Sequence, residues 1–290
     1  VTVDPRPQIP VTPYWLSVVP CTPDPQWTVP GGGRGEHFNS RTFTMPKAGR
    51  IVAVGGHLHG GATRLVLSQP ACGGRTLVTS RPSYAPADDG LYAVRPLLHE
   101  PDPKSISWWQ SPTGWAIGAG EKLTVTAAYD ATRPHMRVMG IDHLYLAPPA
   151  PGATPCAPPP PDAQILGPEF TGARAAPPRV RLTLARIGSD GRARASTRAP
   201  GPTKRTTNVR IAGFAFRPPN LIVKRGAVVR WRFRDHGIRH DVTVASGPVG
   251  FGSPWHSSGR FRHRFTQPGR YLLQCSLHPA YMSQVVRVRR

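Results

Sequence analysis

A chain of 290 residues has room for two domains, each with its own core. With 36 prolines and 30 glycines, no window keeps a helical period and no run of 18 apolar residues occurs, which excludes helical bundles and a helical membrane span. A formal net charge of +22 points to anionic partners, yet no helix-turn-helix, zinc-finger or aromatic RNA-platform motif accompanies it, and nucleic acid is excluded as a partner.

The first 146 residues read as a series of strands separated by turn signals. Examples are Tyr14–Val19, Ile51–Val54, Thr63–Leu67, Lys122–Thr126 and Arg137–Ile141. Such spacing predicts an all-β, antiparallel jelly-roll or sandwich domain over residues 1–146. Within it stands Gly55-Gly56-His57-Leu58-His59-Gly60-Gly61. Residues two apart on a strand face the same side, so His57 and His59 can offer two imidazoles to one metal. Further on, the same parity puts His135, Met139 and His143 on one face. Imidazoles with a thioether suit Cu(I), whereas imidazoles alone would suit zinc equally well.

Residues 41–148 resemble the stress up-regulated nodulin family. The resemblance rests on Gly56-His57-Leu58-His59-Gly60-Gly61, Arg81-Pro82-Ser83-Tyr84, Gly120-Glu121-Lys122-Leu123 and the stretch from Tyr129 to Tyr145. More distantly this region is similar to the catalytic half of the copper type II, ascorbate-dependent monooxygenases. That likeness implies an oxygen-activating copper on His57, His59 and Met139, while strand parity leaves His135 and His143 as alternative ligands. Those enzymes carry a second jelly roll with a three-histidine copper, and no counterpart of it occurs in this chain.

Residues 147–207 form a basic, proline-rich connection. Eight prolines fall between residues 147 and 162, ending in Pro158-Pro159-Pro160-Pro161, and predict a stiff spacer. Beyond it, Val180–Ala185 alternates like a strand and Ser189-Asp190-Gly191 reads as a hairpin turn.

The most specific pattern lies in residues 208–290. Cys275 ends the apolar run Tyr271-Leu272-Leu273-Gln274, and His278 and Met282 follow in a short loop. His240, in His240-Asp241-Val242, comes from a distant strand. A thiolate, two imidazoles and a thioether are the ligand set of a blue, type 1 copper site. This region resembles the cupredoxins of the plastocyanin, amicyanin and halocyanin group, which implies a Greek-key β-sandwich with His240, Cys275, His278 and Met282 as copper ligands. Matching pieces include Ile222-Val223-Lys224-Arg225-Gly226, Val229-Arg230-Trp231-Arg232-Phe233 and Phe265-Thr266-Gln267-Pro268-Gly269-Arg270-Tyr271. Amicyanin-type loops place two residues between His and Met and plastocyanin-type loops four, whereas this chain places three. Cys275 is flanked by Gln274 and Ser276, so the Cys-His link that wires a blue copper to a reactive metal in nitrite reductases and multicopper oxidases is missing.

Copper at the last cysteine leaves Cys21, Cys72 and Cys156, and Cys21–Cys156 is the expected disulfide, with the other two pairings open. Disulfide use predicts a secreted, extracytoplasmic protein, and a start at Val1 suggests either a processed mature form or a trimmed chain. Residues 208–290 carry 15 Lys and Arg against two acidic residues. This field predicts an acidic redox partner, a small-molecule donor or an anionic cell surface. Three functions follow: blue-copper electron transfer, a copper-dependent monooxygenase-like oxidoreductase working at His57/His59/Met139, or a copper-binding module without turnover.

Overall fold

A computed structural model describes residues 8–20, 25–29, 34–86, 102–132, 135–152, 154, 156–167, 174, 185–187, 193–195, 204–235, 237–278 and 282–290. No α-helix occurs among them, and the all-β class expected from composition is the class observed.

The N-terminal strands are β1 (Thr12–Ser17), β2 (Trp27–Val29), β3 (Glu36–Thr44), β4 (Gly49–Leu58), β5 (Ala62–Gln69), β6 (Arg75–Ser80), β7 (Pro82–Ser83), β8 (Ser105–Ile106), β9 (Trp108–Ile117), β10 (Lys122–Asp130), β11 (His135–Val138), β12 (Gly140–Ala147) and β13 (Gln164–Leu166). One sheet runs β1-β12-β4-β9-β13 and the other β3-β10-β5-β6, all antiparallel. The period of two explains why these residues pair. In β10, Leu123, Val125, Ala127 and Tyr129 point inward and are fully buried. Thr124 and Thr126 point outward and join hydroxyls with Thr42 and Ser40 on β3. Between the sheets Ile51, Val54, Leu65, Leu67, Leu144 and their neighbours form one core, each such side chain stabilising the fold by about 1.5–3 kcal/mol.

The proline-rich segment is not a free spacer along its whole length. Asp162 accepts hydrogen bonds from Ser111 Oγ, Thr113 N and Thr113 Oγ1, and β13 adds an edge to β9. Cys156 bonds Cys72, not Cys21. The expected Cys21–Cys156 pairing is therefore corrected, because this segment folds back over the sandwich and brings Cys156 to the turn after β5. Cys21 itself lies outside the described residues.

The expected hairpin is present as β14 (Ala185–Ile187) paired with β15 (Ala193–Ala195), with its turn and residues 180–184 outside the described residues. The C-terminal body comprises β16 (Lys204–Ile211), β17 (Phe216–Arg217), β18 (Asn220–Phe233), β19 (Thr243–Ser246), β20 (Gly259–Arg264), β21 (Gly269–Gln274) and β22 (Ser283–Arg289). Its pairing order is β17-β16-β18-β22-β21-β19, with β20 also on β18. The long strand β18 serves two neighbourhoods. Its first part, to Lys224, pairs with β22 and meets β16 at Val223, and from Val228 onward it pairs with β16 and β20. The turn between these parts falls at Gly226, whose φ of 85° suits glycine and whose N–H donates to Phe265 O at 2.7 Å. Trp231 is buried at the centre of this core, and its Nε1 donates to Gln284 Oε1 at 2.9 Å.

Candidate metal centre

Two loops of the C-terminal body, after β18 and after β21, meet at Cys275. His240 follows β18 and is held by two backbone bonds to His256 (N to O 2.9 Å and O to N 2.8 Å). Cys275 follows β21, and its N–H donates to Met282 O at 3.1 Å. Met282 N in turn donates to His278 O at 3.0 Å, which closes the ligand loop. His240 Nδ1 lies 3.8 Å and His278 Nδ1 3.5 Å from Cys275 Sγ. Among the described residues, His240, Cys275 and His278 form the group of three such donors within 4.8 Å of one another.

These distances fit a shared metal. A nitrogen at about 2.05 Å and a sulfur at about 2.3 Å from one ion, at tetrahedral to trigonal angles, stand about 3.6–3.8 Å apart. His240 and Cys275 are buried and His278 is half-buried. Met282 is fully buried in the same core cluster as Cys275. A trigonal His-His-Cys set beside a methionine is copper chemistry rather than magnesium or calcium chemistry.

Groups around the ligands fix their orientation. His240 Nε2–H donates to Asp235 Oδ2 at 3.0 Å, so Nδ1 faces the cysteine. Burial alone would raise the Asp235 carboxyl, but the N–H groups of Gly213 and Phe214 and the His240 ring outweigh it and hold it below the usual range. Asp241, almost fully buried, accepts from Ser276 N and Ser276 Oγ, both at 2.6 Å, and from Thr243 Oγ1 at 2.9 Å. It therefore ties the segment carrying His240 to the segment carrying Cys275. Burial, and then the Asp241 charge, push the Cys275 thiol up to about 11. Metal binding there must expel a proton. His278 is lowered by burial and then by His240, which leaves a neutral imidazole as donor. The Phe214 ring stands edge-on to both His240 and His278, with centroids 5.7 and 4.8 Å away.

The sequence pattern assigns Asp235, Asp241 and Phe214 no role at the site, although Asp241 adjoins His240 directly. His236 lies outside the described residues, as do Pro279 to Tyr281 in the ligand loop. The His256 ring lies tilted against Phe233 with centroids 4.9 Å apart, and His263 stacks on Phe251 at 3.6 Å, so both serve packing.

In the N-terminal body His57 is the next-to-last residue of β4, and His59 directly follows the strand. Their Nε2 atoms stand 3.2 Å apart. Two nitrogens at about 2.0–2.1 Å from one tetrahedral ion are about 3.3 Å apart, so the pair fits a shared metal. His59 Nδ1–H donates to Arg137 O at 2.9 Å, which turns the Nε2 lone pair toward His57. Burial, and then the neighbouring His143, lower His57. His143 lies across the ladder, its ring 6.4 Å from that of His57 and 5.0 Å from Trp15. Met139 falls between β11 and β12, one residue beyond the pairing of Gly140 with Leu58, which in continued register is the position opposite His59. Tyr129 Oη links the two segments, accepting from His59 N and donating to Met139 O. His135 is elsewhere. The strand break at Met139 interrupts the expected parity, and His135 is buried against Gly61 and Tyr129 rather than beside His143. Among the described residues the His57–His59 pair has no third His, Cys or carboxylate donor within 4.8 Å.

No protein-family model matches this chain, and no curated protein does. Solved structures of amicyanin match part of it. An oxidised proline-to-glycine mutant is 27% identical over 29% of this chain and 82% of that chain, with a TM-score of 0.27. A reduced Cu(I) proline-to-glycine mutant at pH 4 is 28% identical over the same shares, also with a TM-score of 0.27.

Proposed function

We propose that this chain is a copper electron-transfer protein whose working centre is a type 1 site on His240, Cys275, His278 and Met282. The observation that supports it is the pair of imidazole Nδ1 atoms at 3.5 and 3.8 Å from a buried cysteine sulfur, one of them braced by Asp235. Copper bound there supplies a one-electron change of valence. The chain's residues keep that change small in structural terms: buried His240 and Cys275 exclude water, and Asp241 clamps their two segments together. The half-buried His278, beside the partly exposed Phe214 and Leu277, forms the edge at which electrons enter and leave. The basic surface of residues 208–290 would receive an acidic redox partner or hold the protein on an anionic surface.

A second reading concerns the N-terminal pair. The Nε2 spacing of 3.2 Å supports a second mononuclear metal on His57 and His59, completed by Met139; His143, its ring 6.4 Å from that of His57, is the more distant alternative. An incomplete protein ligand set leaves room for an outside molecule, as an oxygen-activating oxidoreductase requires and a copper-holding module does not. His135, packed under Gly61, is a weaker candidate for that set.

Copper stoichiometry and electron paramagnetic resonance test both readings. Oxidised wild type should hold two coppers, one with the narrow hyperfine splitting of a type 1 site. Cys275→Ser should lose that signal alone, and His57→Ala/His59→Ala should lose the other. A wild type without a type 1 signal sinks the main reading. A single copper unchanged in the histidine variant sinks the second.

A further inference from the structure

Arg137 occupies an unusual place. It is not glycine, yet its φ is 57°, a left-handed conformation that costs an L-residue about 1–2 kcal/mol. It lies where the β11–β2 pairing jumps from His135↔Val29 to Val138↔Trp27. Such bulges re-aim a residue, and strained backbone of this kind gathers at functional sites. The result is that its two ends serve different bodies. The carbonyl accepts from His59 Nδ1 at 2.9 Å. The guanidinium crosses to the C-terminal body, 3.9 Å from Asp241 Oδ2 and 5.2 Å above the Trp255 ring. Met136 beside it meets Gly252 so closely that a Cβ there would stand 3.1 Å from its Cε. Asp241 in turn holds Ser276, the residue after Cys275.

We infer that Arg137 is a positioning residue that couples the His57/His59 pair to the copper loop. Loading a metal on that pair must fix the His59 ring. The ring fixes the Arg137 carbonyl, and the left-handed turn transmits that to the guanidinium at Asp241. By reciprocity, the state of the Cys275 site then alters the metal affinity of His57/His59. This rests on the reading of His57/His59 as a metal site.

The test uses the full chain loaded with copper at the C-terminal site. Zn2+, which is redox-inert and suits imidazoles, is then titrated onto the N-terminal pair. The readouts are the reduction potential and the type 1 hyperfine splitting. In wild type, bound Zn2+ should shift the one-electron equilibrium by at least about fivefold, which is about 41 mV at 59 mV per tenfold. Arg137→Met should bind both metals but shift less than about twofold, and Arg137→Lys should recover part of the effect. Bound Zn2+ with no shift in wild type overturns the coupling while leaving the second site standing. An Arg137→Met protein that shifts as wild type does overturns the role of Arg137. If wild type takes up no more Zn2+ than His57→Ala/His59→Ala, the second site fails and the coupling with it.

Discussion

Asp142 lies on the core-facing side of β12, and its Oδ2 has no hydrogen-bond partner. Burial pushes its carboxyl up to about 8. A folded value raised above the unfolded one favours folding while both forms hold the proton. That advantage is lost as pH rises from about 4 through 8. Wild-type stability should therefore fall by several kcal/mol across that interval, at about 1.36 kcal/mol for each pH unit that separates the folded and unfolded values. Asp142→Asn, which cannot ionise, should flatten the slope, as urea midpoints at pH 5 and pH 8 would reveal; equal slopes would refute the assignment. The strand pattern gave no hint of this residue, because alternation names the side facing inward but not an acid placed there. The proposed metal ligands are far more legible. Cys275, His278 and Met282 share one short segment, so chemistry and spacing are read together. Asp241 and Arg137 matter only through where two distant segments meet, which no local pattern encodes.

Among the elements, the segment after β12 departs most from expectation. Prolines predict stiffness, but they do not forbid docking. Asp162 and the three residues of β13 decide where the segment goes. Its anchor is the Cys72–Cys156 bond, which closes a separation of 84 residues. Loop-entropy arguments give such a closure about 4–5 kcal/mol. Cys72→Ser/Cys156→Ser should lose about 2–5 kcal/mol in urea unfolding, with copper binding at the proposed type 1 site unchanged. Loss of the copper signal in that variant would show that the two bodies do not fold separately. The strands were otherwise well marked, since Leu123-Val125-Ala127-Tyr129 and Val229-Trp231-Phe233 alternate cleanly along β10 and β18. Short pieces such as β7, β8 and β17 escaped because two residues carry no period.

At the scale of the whole molecule, charge is unevenly shared: 15 basic and two acidic residues fall in residues 208–290. Electron exchange with an anionic donor should slow by at least about tenfold as ionic strength rises from about 0.01 M to 0.3 M. Stopped-flow reduction by an acidic and by a neutral reagent would check this, since only the acidic one should respond strongly. Equal salt dependence for both would remove steering from the account. No helix among the described residues is long and apolar enough to cross a membrane, and the disulfide accords with an extracytoplasmic setting.

The two bodies are closed by fasteners of different chemistry. The N-terminal sandwich is sewn by sulfur to sulfur, while the C-terminal one would be pinned by a metal between His240 and Cys275, residues 35 apart in sequence. A thiol reductant should therefore loosen the first half and spare the second, whereas a chelator should do the reverse. Limited proteolysis under each reagent would cut the chain in different places, so the surroundings choose which half gives way.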